Sequence, residues 1–161
     1  MSPVHPDTLA ALTSGIQSEV ASYVFYTEAA KKRQAAEHQG VLRQLALEEK
    51  EHFQILERQY DSLVRSEKWI STADILKQDG LPQIDEKMSR QHQDLIDEVA
   101  RATSMGEILK IAFRLEEEAH TLFAGAATHA RSEEARRIFT QLSKFEEGHM
   151  RMVRQMQQEM L

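Results

Sequence analysis

The sequence predicts an all-α protein folded as a four-helix bundle, and three observations support this prediction. Only six Gly and three Pro occur in 161 residues, and the three Pro lie outside the long periodic stretches. Ala, Leu, Glu, Gln, Lys and Arg dominate those stretches, and these residues favour helices. Apolar residues recur there at spacings of three and four, as expected for helices that bury one face. The length fits a single domain over residues 1–161.

Caps and breakers place the helices along the chain. The first is predicted over about 7–36, with Asp7 as its N-cap, and the second over about 40–66. The third runs over about 104–130 from a capping box formed by Ser104 and Glu107. The fourth covers about 132–160 and begins with acidic residues, which suit a helix N-terminus.

A long crossover separates the second and third helices. It contains a Gly-Leu-Pro breaker at residues 80–82, followed by a predicted short extra helix over about 84–101. The short turns on either side make helices 1 and 2 one antiparallel hairpin and helices 3 and 4 another. Two hairpins joined by a long crossover form a known bundle topology.

Composition excludes several classes of function. The net charge of −6, without a basic stripe, argues against binding to nucleic acid. No apolar run approaches the ~20 residues of a membrane span. The first six residues lack the basic and apolar regions of a signal peptide, so we expect a cytoplasmic protein. Without cysteine there are no disulfides, thiolate zinc sites or iron–sulfur clusters, so any redox chemistry needs oxygen and nitrogen ligands and external electrons.

Charged and imidazole side chains interrupt the apolar stripe of every bundle helix near its middle. At ~1.5 Å rise per residue they all lie ~20–25 Å from the hairpin turns, so they share one level of the bundle. They are Glu19, Glu49, His52, Glu116, Glu146 and His149. In the fourth helix the predicted core stripe also includes Phe145 and Met152.

The two hairpins repeat the same pattern. The pairs at 19 and 116, 49 and 146, and 52 and 149 are each 97 residues apart, and the same register pairs Leu45 with Leu142. Three coincident offsets indicate an internal duplication of a helical hairpin.

Four carboxylates at one buried level need compensation. Each ionised carboxylate in an apolar core costs several kcal/mol, and neighbouring carboxylates repel one another, which favours protonation. No Lys or Arg interrupts the stripes near that level, whereas two divalent cations would balance four Glu and two neutral His. Residues i and i+3 share one helix face, so each Glu-x-x-His pair can reach one ion. Two such pairs and two further Glu reproduce a known di-iron ligand set in helical bundles.

The chain resembles a rubrerythrin-type member of the ferritin-like superfamily. The resemblance is carried by the segments EVASYVFY, EEKEHF, EEEAHTLF and EEGH, which begin at Glu19, Glu48, Glu116 and Glu146. It implies a ferritin-like bundle with a carboxylate-bridged pair of iron ions, joined by an oxo or hydroxo bridge when oxidised. By this resemblance Glu49 and Glu146 bridge the ions. Glu19 and His52 complete one coordination sphere, and Glu116 and His149 complete the other.

Two departures from the family pattern bear on function. The chain carries no cysteine-bound iron domain, so the resemblance implies the stand-alone form, an external electron donor such as a rubredoxin-type protein, and a homodimer. Rubrerythrins also place a further Glu three residues after the ligand of the third helix, where this chain has Ala119. The ligand exchange attributed to that Glu during peroxide reduction is therefore in doubt.

Some assignments stay open at the level of sequence. Tyr23, Tyr26 and His120 lie on the predicted seam and are candidates for contacts with the ligands, or else are core residues. Glu117 forms a third Glu-x-x-His match with His120 but breaks the 97-residue register, so it is the alternative to Glu116.

The function predicted from these features is a di-iron oxidoreductase that oxidises Fe²⁺ with H₂O₂ or O₂, as a peroxidase or ferroxidase. Carboxylate and imidazole also suit manganese, so a manganese catalase-like enzyme is one alternative. A non-catalytic iron-binding or iron-storage protein is another. A helical interaction module with a vestigial site is a third, and the intact set of six residues argues against it.

Overall fold

The computed structural model describes residues 4–160, and within them it is all-helical, without a strand. This confirms the predicted fold class. The helices are α1 (Pro6–Ala30), α2 (Gln39–Ser66), α3 (Thr72–Leu76), α4 (Glu86–Arg90), α5 (Gln93–Arg101), α6 (Met105–Thr128) and α7 (Glu133–Glu159). Residues 1–3 and 161, which are the ends of the predicted domain, lie outside the described part of the chain. Residues 1–3 are also half of the N-terminal segment in which no signal peptide is expected.

The four long helices form two hairpins that pack through α1 and α6. Helices α1 and α2 contact each other extensively, as do α6 and α7. The backbones of α1 and α6 also approach closely, whereas few backbone positions of α2 and α7 do. One open side of the bundle therefore lies between α2 and α7. No helix among the described residues is long and apolar enough to cross a membrane.

Two apolar clusters fill the two ends of the bundle. One includes Phe25, Leu45 and Ile108, and the other includes Leu12 and Phe123. The polar side chains predicted from the stripes lie on the helix segments between these clusters. The bundle is therefore an apolar body with one polar layer across its middle.

Helix α1 differs from its predicted bounds at both ends. Its N-cap is His5 rather than Asp7, because the Asp7 backbone N–H donates to His5 Nδ1 at 3.1 Å. It ends at Ala30 rather than near residue 36, and a 3-10 helix (Arg33–His38) follows. The Gln39 side-chain amide donates to the carbonyl oxygen of Ala30 at 2.8 Å, which satisfies one acceptor at the helix end.

The crossover also differs from its prediction. The extra helix expected over 84–101 is divided into α4 and α5, separated by a turn at residues 91–92. Helix α3 was not predicted. Its N-cap Ser71 accepts from the Asp74 N–H at 3.2 Å, and its Ile75 is fully buried against the bundle. This short helix lies beside α2.

Candidate metal centre

The six residues predicted from the interrupted stripes meet in the middle of the bundle. Helix α1 contributes Glu19, α2 contributes Glu49 and His52, α6 contributes Glu116, and α7 contributes Glu146 and His149. All four carboxylates are fully buried, and the two histidines are 6% and 5% exposed.

These residues form two overlapping groups of potential ligands. Glu19, Glu49, His52 and Glu146 make up one group, and Glu49, Glu116, Glu146 and His149 the other. In each group the ligand atoms lie within 4.8 Å of one another. Glu49 and Glu146 belong to both groups, so two adjacent cation positions would share two carboxylates.

Both imidazole rings direct Nδ1 toward the carboxylates. His52 Nδ1 lies 3.1 Å from Glu146 Oε1 and 3.6 Å from Glu19 Oε2. His149 Nδ1 lies 2.6 Å from Glu49 Oε1 and 3.3 Å from Glu116 Oε1. The Nδ1 atoms therefore point inward with the carboxylate oxygens, as the ligands of a common centre do.

Many of these inward atoms have no hydrogen-bond partner among the described residues. They are both oxygens of Glu19 and Glu49, one oxygen each of Glu116 and Glu146, and Nδ1 of His149. The 2.6 Å contact between His149 and Glu49 thus lacks hydrogen-bond geometry. Buried polar atoms are nearly always paired, because each unpaired one costs about 1–3 kcal/mol. Convergent unpaired oxygen and nitrogen atoms fit bound metal ions.

The electrostatics of the polypeptide alone show the same need for cations. Burial raises the pKa of the Glu19, Glu49 and Glu116 carboxyls well above the usual value of 4.5, and repulsion from neighbouring carboxylates adds to the effect. Without a cation, burial therefore favours the protonated forms of these carboxyls.

The pKa values of Glu146 and His149 shift in the directions that favour the charged forms of these two side chains. Burial disfavours the charge on Glu146, but the close approach of Glu116 and the two histidines holds the pKa of this carboxyl well below 4.5. Burial likewise disfavours imidazolium, but the surrounding carboxylates raise the pKa of His149 above 6.5. The metal-free site thus carries protons that a divalent cation would displace.

Of the three residues whose roles the sequence left open, Tyr26 contacts one of the six buried polar residues directly. The Tyr26 hydroxyl donates to Glu116 Oε1 at 2.6 Å, and both side chains are fully buried. His120 points elsewhere, with Nδ1 3.1 Å from both the carbonyl oxygen and Oγ of Ser143. Tyr23 packs on the apolar cluster that includes Phe25 and on a smaller cluster of Val20, Val24 and Phe53, and no side-chain hydrogen bond from it to another described residue is present.

The structure also separates the two neighbouring candidates on α6. Glu116 is buried in the cluster, whereas Glu117 is exposed on the outer face. Ala119, at the position of the family's additional Glu, is fully buried in an apolar cluster.

Two side chains beside the histidines were not predicted as part of the site. The Phe145 ring stacks on His52 with a centroid distance of 5.1 Å and an interplanar angle of 9°. Glu48 Oε2 lies 3.7 Å from His149 Nε2. Phe145 was predicted on the core stripe together with Met152, but each is 39% exposed, because the buried face of α7 passes through Glu146 and Val153 instead. The signal in the sequence that could have identified Glu48 and Phe145 as a pair is their separation of 97 residues, which makes them equivalent in the two hairpins.

Comparison with known proteins identifies one family. The family model for rubrerythrin matches residues 10–157, a range that includes all six buried polar residues and nearly the whole chain. No curated protein and no solved structure shows a significant match to the chain.

Proposed function

Because this chain belongs to the rubrerythrin family, we propose that its buried polar cluster binds two iron ions and that the protein oxidises Fe²⁺ with H₂O₂ or O₂. The observation that carries the proposal is the pair of overlapping ligand groups that share Glu49 and Glu146. Two divalent ions there balance four carboxylates and offer coordination to the unpaired buried atoms.

The ligand roles follow from the membership of the two groups. Glu49 and Glu146 would hold both ions, since each belongs to both groups. Glu19 and His52 complete one coordination sphere, and Glu116 and His149 complete the other. Carboxylate and imidazole ligands also accept manganese, so the preference for iron rests on the family.

A bound iron pair supplies electrons to the oxidant, and the polypeptide arranges the site around it. Tyr26 holds Glu116 through a buried hydrogen bond and thereby fixes the orientation of a ligand. The apolar clusters on either side exclude water. The family resemblance supports an external electron donor, such as a rubredoxin-type protein, that returns the electrons. A homodimer is proposed from the family resemblance alone.

A variant at a bridging position tests the centre itself. Glu49→Ala should lose paired iron binding, because both ions share this carboxylate, whereas the wild-type protein should bind two ions per chain. Glu117→Ala is the matched control, since it removes an exposed carboxylate on another helix of the bundle. The measurement is metal content after anaerobic loading and desalting. Two ions per chain in Glu49→Ala would show that the bridge is assigned wrongly.

Iron binding without turnover is the second candidate function, and Ala119 favours it. This residue leaves no carboxylate where the family uses one in peroxide reduction. Stopped-flow mixing of the Fe²⁺-loaded protein with H₂O₂ distinguishes the two functions. Rapid oxidation that repeats when a reductant is supplied supports the enzyme, and a single slow stoichiometric oxidation supports storage.

A further inference from the structure

The proposed metal centre reaches the surface only through its histidines. Its four glutamates are fully buried, whereas His52 and His149 retain 6% and 5% exposure. Both rings line a cavity of about 350 Å³ between α2 and α7. This is the side on which the helix backbones approach each other least.

Three aromatic rings close the inner end of this cavity. Phe145 stacks on His52, and His52 in turn lies 5.7 Å from His149 with an interplanar angle of 21°. Stacked rings in contact are about 3.5 Å apart, so a centroid distance of 5.7 Å leaves about 2 Å of free space between the two imidazoles, less than the diameter of a water molecule, about 2.8 Å. A hydrated ion can therefore pass between these two rings only when one of them moves. Phe145 is the ring of the three that lies at the surface, at 39% exposure.

The charged residues that line the cavity have a net negative charge, which attracts cations. Glu48 and Glu51 line it together with one basic residue, Lys144. Glu48 lies closest to the site, 3.7 Å from the outer nitrogen of His149. Two carboxylates against one ammonium raise the local concentration of divalent cations beside the histidines.

The aromatic side and the acidic side of the cavity correspond to equivalent positions of the internal duplication. Glu48 and Phe145 are 97 residues apart, so they occupy equivalent positions in the two hairpins. In one half this position carries an aromatic ring against His52, and in the other a carboxylate beside His149.

We propose that this cavity is the entry port for divalent cations, with Glu48 and Glu51 collecting the ion and Phe145 acting as the gate. The inference rests on the proposed di-metal function. Movement of the Phe145 ring into solvent frees His52 to shift, and the ion then passes between the two imidazoles to the inward-facing carboxylates.

Metal uptake by the metal-free full-length chain tests the port. Stopped-flow mixing with Co²⁺, followed by visible absorption, gives the uptake rate, and equilibrium dialysis gives the number of ions bound. Phe145→Ala should raise the rate about threefold or more, and Glu48→Gln should lower it by a similar factor and weaken its dependence on salt. Both variants should still bind as many ions as the wild type. Leu47→Ala, at an exposed apolar residue of α2 outside the cavity, and Glu117→Gln are the matched controls.

The possible failures are distinguishable. A wild-type chain that binds no Co²⁺ at equilibrium overturns the proposed function. Normal binding with an unchanged or slower rate in Phe145→Ala overturns the gate. Rates matching the wild type in both Phe145→Ala and Glu48→Gln overturn the port. Because both side chains are partly exposed, circular dichroism should show unchanged helicity.

Discussion

At the scale of single residues, Tyr26 makes the two halves of the site chemically unequal. Its equivalent 97 residues later is Phe123, which has no hydroxyl group. Glu116 accepts the Tyr26 hydrogen bond, whereas both oxygens of the equivalent Glu19 have no hydrogen-bond partner among residues 4–160. The polypeptide therefore fixes the orientation of Glu116, whereas that of Glu19 would depend on a bound ion.

Replacing Tyr26 tests this inequality. Tyr26→Phe should lower the free energy of unfolding of the metal-free protein by about 1–2 kcal/mol, because Glu116 Oε1 would lose its buried donor. Tyr23→Phe is the control, since this tyrosine lies on the same helix and donates no hydrogen bond to another described side chain. The measurement is urea denaturation of both variants. Equal stability of the two variants would show that the 2.6 Å contact contributes little.

The sequence predicted which six polar residues meet, but not how their neighbours orient. The six were visible because each breaks an apolar stripe at a helical spacing. The choice between Glu116 and Glu117 depends on the rotation of α6, which packing decides. Whether Tyr26 or His120 contacts the buried carboxylates depends on which polar group lies nearest to each side chain. Only the structure shows that Ser143 lies beside His120. The positions of Glu48 and Phe145 followed from the duplication, but their contacts with the histidines did not.

At the scale of helices, Gly15 permits the close approach of α1 to its neighbours. A Cβ atom on Gly15 would lie 2.8 Å from Phe123 Cε1 and 3.1 Å from Leu56 Cδ1. Phe123 is itself fully buried and stacked on Phe139, so it has little room to move. The absent side chain therefore sets the spacing of α1, α2 and α6 just beyond the polar layer.

Two glycine substitutions in helices separate packing from helix propensity. Gly15→Ala should lower the free energy of unfolding by about 1–2 kcal/mol, because the overpacking cost exceeds the propensity gain. Gly125→Ala, whose added Cβ meets no described atom within 4 Å beyond its chain neighbours and its own helix backbone, should instead raise it by about 0.5–1 kcal/mol. Urea denaturation of both variants checks the opposite signs. A stabilised Gly15→Ala would mean that the three helices separate easily.

The long helices were predictable as elements, and the crossover was less so. Apolar periodicity over more than 20 residues identifies α2, α6 and α7. Helices α3 and α4 have five residues each, too few to show a period, and they depend on caps at Ser71 and Asp85. At the start of α6, Ser104 caps as predicted, but the Glu107 carboxylate accepts from the N–H of Thr103 instead of that of Ser104.

At the scale of the whole molecule, the polar layer opposes folding unless cations are present. Each of the four long helices contributes at least one carboxylate to it. Two bound ions would therefore join both hairpins through shared ligands as well as balance charge. Metal binding at the proposed centre would thus be coupled to folding of the bundle.

The sign of the pH dependence in the metal-free protein follows from the direction of the pKa shifts. Burial raises the pKa of Glu19, Glu49 and Glu116 above 4.5, so above that pH the folded state binds more protons than the unfolded state. Stability must then fall as pH rises. His149, with a pKa raised above 6.5 by the carboxylates around it, acts in the same direction at higher pH. The lowered pKa of Glu146 acts oppositely, but only below 4.5.

Loading with metal should remove most of this pH dependence. We expect the urea midpoint of the metal-free protein to fall between about pH 5.5 and pH 8, and that of the loaded protein to fall less, because the ions replace the protons. The stabilisation by metal should therefore grow with pH. Glu49→Gln, which mimics the protonated carboxyl, should flatten the metal-free curve, whereas Glu117→Gln should leave it unchanged. Parallel curves for the metal-free and loaded proteins would mean that the buried carboxyls are not where the ions bind, since only displacement of their protons makes the two curves diverge.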